Sequence, residues 1–315
     1  MTRPADPTFL APPGQVADWR RVLLCDVAAG TGLLEALPGT PEVLAERLEL
    51  DAHALRVLLD ALTVYQVVSG DADGTYVRGA EVPTDSTLAG LRHHARALRR
   101  WAAALEDRTR DRPISSATGP ADPEAFHDAL AVTARQAAPG VVDACLTRFP
   151  HARSVLDLGG LHGEYSLEFT RRGLAATMQD QPVMVEVARR RGRLEAAGVQ
   201  LFAGSFFDTV PEGPFDLAFC SGITHTFDGD HNLALFGNLR RVLVPSGAGV
   251  AVVTFLRGRH PVSALFAVQM LLNANGGDTH TEAEYRQWLG DSGFTADPAV
   301  VDLPDQAARS VLFAS

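Results

Sequence analysis

Apolar positions change their spacing near residue 150: before it they recur at helical intervals, and after it they come in short runs separated by helix-spaced segments. In the first part, Trp19, Val22, Leu23, Val27 and Leu34 follow the helical period from Gln15 onward. A break falls at Pro38-Gly39-Thr40-Pro41, a second helix is predicted over residues 42–48, and a third carries Leu55, Leu58, Leu59 and Leu62. Residues 65–68 and 75–77 read as two short strands around the Asp73-Gly74 turn. Helices followed by such a hairpin predict a winged-helix module over residues 14–85, behind a proline-rich, frayed terminus over residues 1–13. Its apolar faces exceed what a small module buries alone, which predicts a homodimer. The glycines of Cys25 to Gly32 are not followed by a second strand ending in an acid, so that stretch reads as a helix with a glycine interruption.

Residues 86–150 are expected to be helical linker and pocket helices. Leu91, Leu98, Trp101 and Leu105 form one face, and Arg92, Arg96, Arg99 and Arg100 read as a solvated one. Residues 108–123 read as loop, and residues 124–149 as helices interrupted near Pro139-Gly140. The stretch Val155 to Gly163 then organises the rest: an apolar run stops in a glycine-rich turn and a helix follows, which is strand, turn, helix. Gly159 lets the chain turn sharply, and the free N–H groups of the helix start can face a polar ligand. Asp180 ends a second apolar run, where a carboxylate can accept from both hydroxyls of a ribose. A helix from Pro182 to about residue 193, strands over residues 199–203, 215–220 and 249–256, and a helix over residues 230–243 continue the alternation. A last helix is capped by Thr281 and Glu284, and residues 299–303 and 310–313 make an antiparallel edge pair. The expected fold is α/β: a Rossmann-like sheet, mostly parallel and covered on both faces, in a domain over residues 151–315.

Composition narrows the partners. The chain has 315 residues with 46% hydrophobic content, and its 38 acidic against 28 basic residues give a net charge of −10. Nucleic acid and anionic membrane are therefore not expected, and the candidate recognition helix carries only Arg56 and His53 against Asp51 and Asp60. No stretch reaches the ~18 apolar residues that span a bilayer, and the amino terminus lacks a signal-peptide core. Cys25, Cys145 and Cys220 lie far apart in apolar contexts, which predicts buried thiols in a reducing, cytoplasmic setting.

Six segments in order, DLGGLHG at 157–163, DQPVMVEVA at 180–188, GSFFDTVPEGPFDL at 204–217, GITHTFDGD at 222–230, LRRVLVPSGAGVAVV at 239–253 and NGGDTHTEAEYRQWLGDSGF at 275–294, resemble S-adenosylmethionine-dependent O-methyltransferases. The similarity is to the plant caffeate type and its bacterial natural-product relatives. The resemblance implies S-adenosylmethionine as cofactor, with Asp157, Gly159, Gly163, Asp180, Ser205, Phe206 and Ser221 near it. It also implies a small-molecule substrate, a role for the first domain in dimerisation and in the substrate lid, and a pocket including Phe126, Leu130, Phe227, Phe266, Met270 and Asn273. His225 stands where the family has the histidine of a His-Asp-Trp triplet, its general base, here His225-Thr226-Phe227. His225, Asp228, Asp230 and His231 crowd together, but acids before a helix are ordinary N-caps and no metal is expected.

Four departures bear on the chemistry. Leu161 replaces the middle glycine of the family's glycine turn, and Ser205 replaces an aspartate that faces the adenine. Thr226 replaces the aspartate after the histidine, and Thr254 a glutamate that steadies it. Methyl transfer to an aromatic or polyketide-like hydroxyl is the first expectation. A non-methylating enzyme on this fold (decarboxylase, hydroxylase or cyclase) and a non-catalytic dimeric partner are the alternatives.

Overall fold

The computed structural model describes residues 18–110, 123–245, 247–274, 276–295, 298–303 and 309–315. The expected frayed terminus (1–13), the start of the first helix at Gln15 and most of the expected loop (111–122) lie outside them. The chain divides into two compact units, Met1–Ala103 and Ala104–Ser315. Among the described residues no helix is long and apolar enough to cross a membrane.

The first unit holds α1 (Trp19–Gly30), α2 (Leu33–Ala36), α3 (Pro41–Leu48), α4 (Ala52–Val64) and the antiparallel pair β1 (Val68–Gly70) and β2 (Tyr76–Arg78). Each long helix opens on the cap its sequence provides: Asp18 accepts from Arg20 N–H, Thr40 from Val43 and Asp51 from Ala54. Val22, Cys25, Leu33, Leu44, Leu55, Leu59 and Leu62 are buried together. Trp19, Val27, Val43, Val57, Val64 and Val77 are not. The first strand starts three residues later than the sequence suggests. Helix α4 runs to Val64 and Gln66 turns with a φ of 55°, so Tyr65 to Val67 form the exit of the helix. The glycines near Cys25 close a helix, as expected: α1 ends at Gly30, and Gly32 turns with a φ of 75°.

α5 (Asp85–Thr109) contains the division between the units. Its arginine face is not simply solvated, because Arg92 and Arg99 both pair with Asp26. In α6 (Pro123–Arg148) the expected interruption does not occur. Ala134, Ala137, Ala138, Val141, Val142 and Cys145 pack into the core across Pro139, while Pro139 and Gly140 are exposed, so the lost hydrogen bond falls on the solvent side.

The second unit continues with β3 (Ser154–Leu158), α7 (Glu164–Arg171), β4 (Ala175–Asp180), α8 (Pro182–Arg191), α9 (Arg193–Ala196), β5 (Gln200–Ala203), β6 (Leu217–Ser221) and α10 (Gly229–Val242). It closes with β7 (Gly249–Thr254), α11 (Pro261–Asn273), α12 (Glu282–Asp291), β8 (Ala299–Asp302) and β9 (Ser310–Ala314). The seven strands lie in the order β5-β4-β3-β6-β7-β9-β8; the first five are parallel, and β9 runs antiparallel to both of its neighbours, β7 and β8. Side chains alternate between two cores: Val155, Leu217, Phe219 and Val253 face the cluster under α6 and α7, and Leu156, Ala218, Cys220 and Val252 the opposite cluster with Phe236 and Tyr285. The strand order reverses at β3, between β4 and β6, and open sheets bind ligands at the carboxyl ends of strands there.

Candidate active site

At that edge β3 passes into Gly159, whose N–H donates to the Gln179 carbonyl at 2.8 Å. Gly159 has a φ of 70°, and a Cβ there would lie 2.3 Å from Ile223, so only glycine fits. Gly163, with a φ of 68°, caps α7. Leu161 itself adopts a φ of 44°, a left-handed backbone that a leucine enters at a cost. Its N–H donates to Asp180 Oδ2 at 2.8 Å, and Gln181 N–H to Asp180 Oδ1 at 2.7 Å. Asp180 thus ties the glycine turn to the end of β4. Burial raises its carboxyl to about 6, against the pull of those two bonds.

Asp157 lies beneath the turn with no solvent exposure. Its Oδ2 accepts from the Ser166 hydroxyl at 2.5 Å, and its Oδ1 is buried without a partner among the described residues. Burial pushes the carboxyl up to about 7, and the charge of Asp180 adds to the effect. Glu164, the first residue of α7, pairs with Arg135 of α6 at 2.9 Å and with both guanidinium nitrogens of Arg193.

The residues expected near the adenine form an aromatic group. Ser205 Oγ accepts from Phe207 N–H at 3.2 Å, and Asn238 Nδ2 donates to the carbonyls of Phe206 and Phe207 at 3.2 and 3.1 Å. The Phe227 ring stands edge-on to Phe206 at 6.4 Å and to Phe207 at 5.1 Å. Phe227, expected in the substrate pocket, packs against Phe206 and Phe207. Ser221 ends β6, partly exposed.

His225 sits in a 3-10 turn, Thr224–Thr226, just past β6. The turn is held from several sides. Asn232 Nδ2 donates to the Thr224 carbonyl at 3.0 Å and Asp278 N–H to the His225 carbonyl at 3.0 Å. The Thr226 hydroxyl donates to the Ile223 carbonyl at 2.6 Å. The buried Tyr285 hydroxyl, unnoticed in the sequence, lies 2.6 Å from Thr224 Oγ1 and donates to Thr254 Oγ1 at 3.2 Å. The imidazole is buried, edge-on to Phe266 at 4.6 Å, and its Nδ1 has no partner among the described residues. Burial pushes its pKa down to about 3, with Arg309 and His280 opposing a further positive charge. The ring is thus a neutral acceptor at physiological pH, without a carboxylate to orient it among the described residues.

On α11, Phe266 and Met270 are buried and Asn273 is exposed; Phe126 and Leu130, four residues apart on α6, are partly exposed. His231 Nδ1 lies 2.7 Å from Asp228 Oδ1, and Asp228 caps α10. Among the described residues no three such side chains converge on a common metal position.

At this edge Asp180 accepts one backbone N–H on each oxygen, which leaves a lone pair on each, and Asp157 Oδ1 is a buried acceptor without a partner among the described residues. Residues 118–295, more than half of the chain, match the family described as the O-methyltransferase domain. The chain belongs to the S-adenosylmethionine-dependent O-methyltransferases. It is similar to a 3-hydroxy-5-methyl-1-naphthoate 3-O-methyltransferase of Streptomyces sahachiroi, 28% identical over 86% of this chain and 88% of that protein. It is also similar to the tetracenomycin polyketide synthesis 8-O-methyl transferase TcmO of Streptomyces glaucescens, 29% identical over 80% of each. In fold it resembles human N-acetylserotonin methyltransferase, solved in complex with SAM, with a TM-score of 0.74, 20% identity and coverage of 94% of both chains.

Proposed function

We propose that this enzyme methylates a hydroxyl of a small aromatic, polyketide-like compound, with His225 accepting the hydroxyl proton. S-adenosylmethionine supplies a methyl carbon activated by a sulfonium. The chain's own residues do the rest. Asp180 and the glycine turn hold the ribose, Phe206 with Ser205 flanks the adenine, and Phe266, Met270, Phe126 and Leu130 line the aromatic substrate. Such a displacement needs alignment of oxygen, carbon and sulfur more than strong basicity.

The observation that carries the reading is a neutral His225, its Nδ1 without a partner among the described residues, in the turn that leaves β6 beside the Asp180-bound glycine turn. The names of the two Streptomyces relatives, a naphthoate and a polyketide methyltransferase, support an aromatic substrate. Incubation with hydroxylated aromatics and S-adenosylmethionine, read by mass spectrometry, should give a gain of one methyl on oxygen. No such product across naphthols, anthraquinols and flavonols overturns the substrate class.

The first unit is proposed to be a winged-helix dimerisation module. Support comes from Trp19, 60% exposed, and Val64, 76% exposed, on helices whose opposite faces are fully packed. Light scattering at micromolar concentration should give twice the chain mass, and a monomer would refute the pairing. Three buried thiols support a reducing, cytoplasmic setting.

A further inference from the structure

One cation at the carboxyl edge plays no part in the chemistry above. Thr254 pairs with Ser310, so Arg309 precedes β9 beside the end of β7. Its guanidinium lies over the Phe255 ring, 5.4 Å from the centroid. Phe255 and Phe266 have centroids 4.3 Å apart, and Phe266 meets His225 at 4.6 Å. A continuous row thus leads from the guanidinium to the imidazole. The charge of Arg309 reaches both His225 and His162 of the glycine turn, opposing protonation of each.

Among the described residues, nearby arginines are neutralised and Arg309 is not. Arg257 pairs with Asp278, and Arg259 with Asp302 at 2.7 Å and Glu282 at 3.2 Å. Among the described residues Arg309 has no ion pair and no side-chain hydrogen bond. Residue 254 could have carried a counter-charge, but it is a threonine whose hydroxyl accepts from Tyr285. A guanidinium stacked on a buried ring, with its N–H fork unpaired among the described residues, is suited to grip an anionic oxygen.

We propose that Arg309 is a substrate-recognition residue that binds an anionic oxygen of the aromatic substrate, either an aryl carboxylate or an acidic hydroxyl present as its oxyanion. The inference rests on the O-methyl transfer reading and narrows its substrates. Phe255 and Phe266 supply the apolar flank and Arg309 the counter-charge.

The test is calorimetry on the full chain saturated with S-adenosylhomocysteine, with three probes: a hydroxynaphthoate, a dinitronaphthol that is ionised near neutral pH, and the matched neutral naphthol. One of the anionic probes should bind roughly 10- to 100-fold more tightly than the neutral one, the range of a charge-assisted hydrogen bond. Preference for the hydroxynaphthoate assigns the anion to a carboxylate, and preference for the dinitronaphthol to an ionised hydroxyl. Arg309→Gln should abolish the preference while leaving neutral-naphthol and S-adenosylhomocysteine affinity unchanged, and Arg309→Lys should keep part of it. Added salt should weaken the preference in the unmodified enzyme, which tests the charge even if a variant fails to fold. Equal affinity for all probes, binding of none, or a preference that survives in Arg309→Gln overturns the proposal. Failure to bind S-adenosylhomocysteine would overturn the O-methyl transfer reading instead.

Discussion

Replacing Asp157 by asparagine should change the sign of its effect on stability between acid and alkaline pH. The carboxyl has no solvent exposure and is raised from 3.8 to about 7 by burial. In the unfolded chain it titrates near ~3.9. The folded state therefore binds the proton more tightly, so its stabilising contribution is complete below about pH 4 and is lost as pH rises to about 7. Three pH units at about 1.4 kcal/mol each put the full loss at roughly 4 kcal/mol.

Asparagine cannot ionise, and its carbonyl can still accept the Ser166 hydroxyl that now bonds Asp157 at 2.5 Å. Its amide lacks an acceptor at the Oδ1 position, a pH-independent cost of about 1–2 kcal/mol. The variant should thus be less stable near pH 4.5 and more stable, by about 2–3 kcal/mol, at pH 8. Urea midpoints of ligand-free protein across that range measure the difference. His162 and His225, each pushed down to about 3, act in the opposite sense: their contribution is present above ~6.5 and is lost as pH falls toward 3. Both proteins share that slope, so it cancels in the comparison. Parallel midpoint curves with no crossing would refute a buried, proton-binding Asp157.

Asp180→Ala should weaken S-adenosylhomocysteine binding at least about tenfold by calorimetry, since it removes both the proposed ribose acceptor and the brace on Leu161 N–H; unchanged affinity would sink the ribose assignment. Leu161→Ile should lower the thermal midpoint by the equivalent of about 1–2 kcal/mol, because a β-branched residue tolerates a φ of 44° still less, whereas Leu161→Gly should not lower cofactor affinity. His225→Ala should reduce kcat by about 10²-fold, the lower end for loss of a general base, at a pH where the phenol is protonated. A loss under about tenfold would leave His225 only a pocket-shaping role. With the imidazole at about 3, its proton resonances should not titrate between about pH 5 and 8, and a midpoint near ~6.5 would contradict its burial.

The sheet was legible because its strands are short apolar runs broken by glycine turns, and the alternation of Leu217 to Cys220 between two cores follows from a period of two. Pro139 misled because local chemistry forbids a helix hydrogen bond there, while six small apolar residues on either side are packed against the sheet. Gly159, Asp180 and His225 could be brought to one edge by topology alone, since Asp180 ends a parallel strand and the other two follow the ends of parallel strands. Phe227 could not be oriented, because its neighbours Phe206 and Phe207 arrive from another loop. Tyr285 lies in the last of the six segments without a signal that marks its hydroxyl, and Arg309 lies in none of them. One acts through a buried hydroxyl on a distant helix, and the other reaches the edge only because β9 runs back against β7.

Two acids that burial pushes up, Asp157 to about 7 and Asp180 to about 6, stand at the edge proposed to receive the cofactor. A positive ligand entering there lowers both values, so at pH 6–7 its arrival expels protons into the buffer, and its affinity rises with pH over the same interval. The demethylated product, whose sulfur is uncharged, expels fewer. Exchange of product for fresh cofactor is therefore also an exchange of protons with solvent, and its heat depends on the ionisation enthalpy of the buffer.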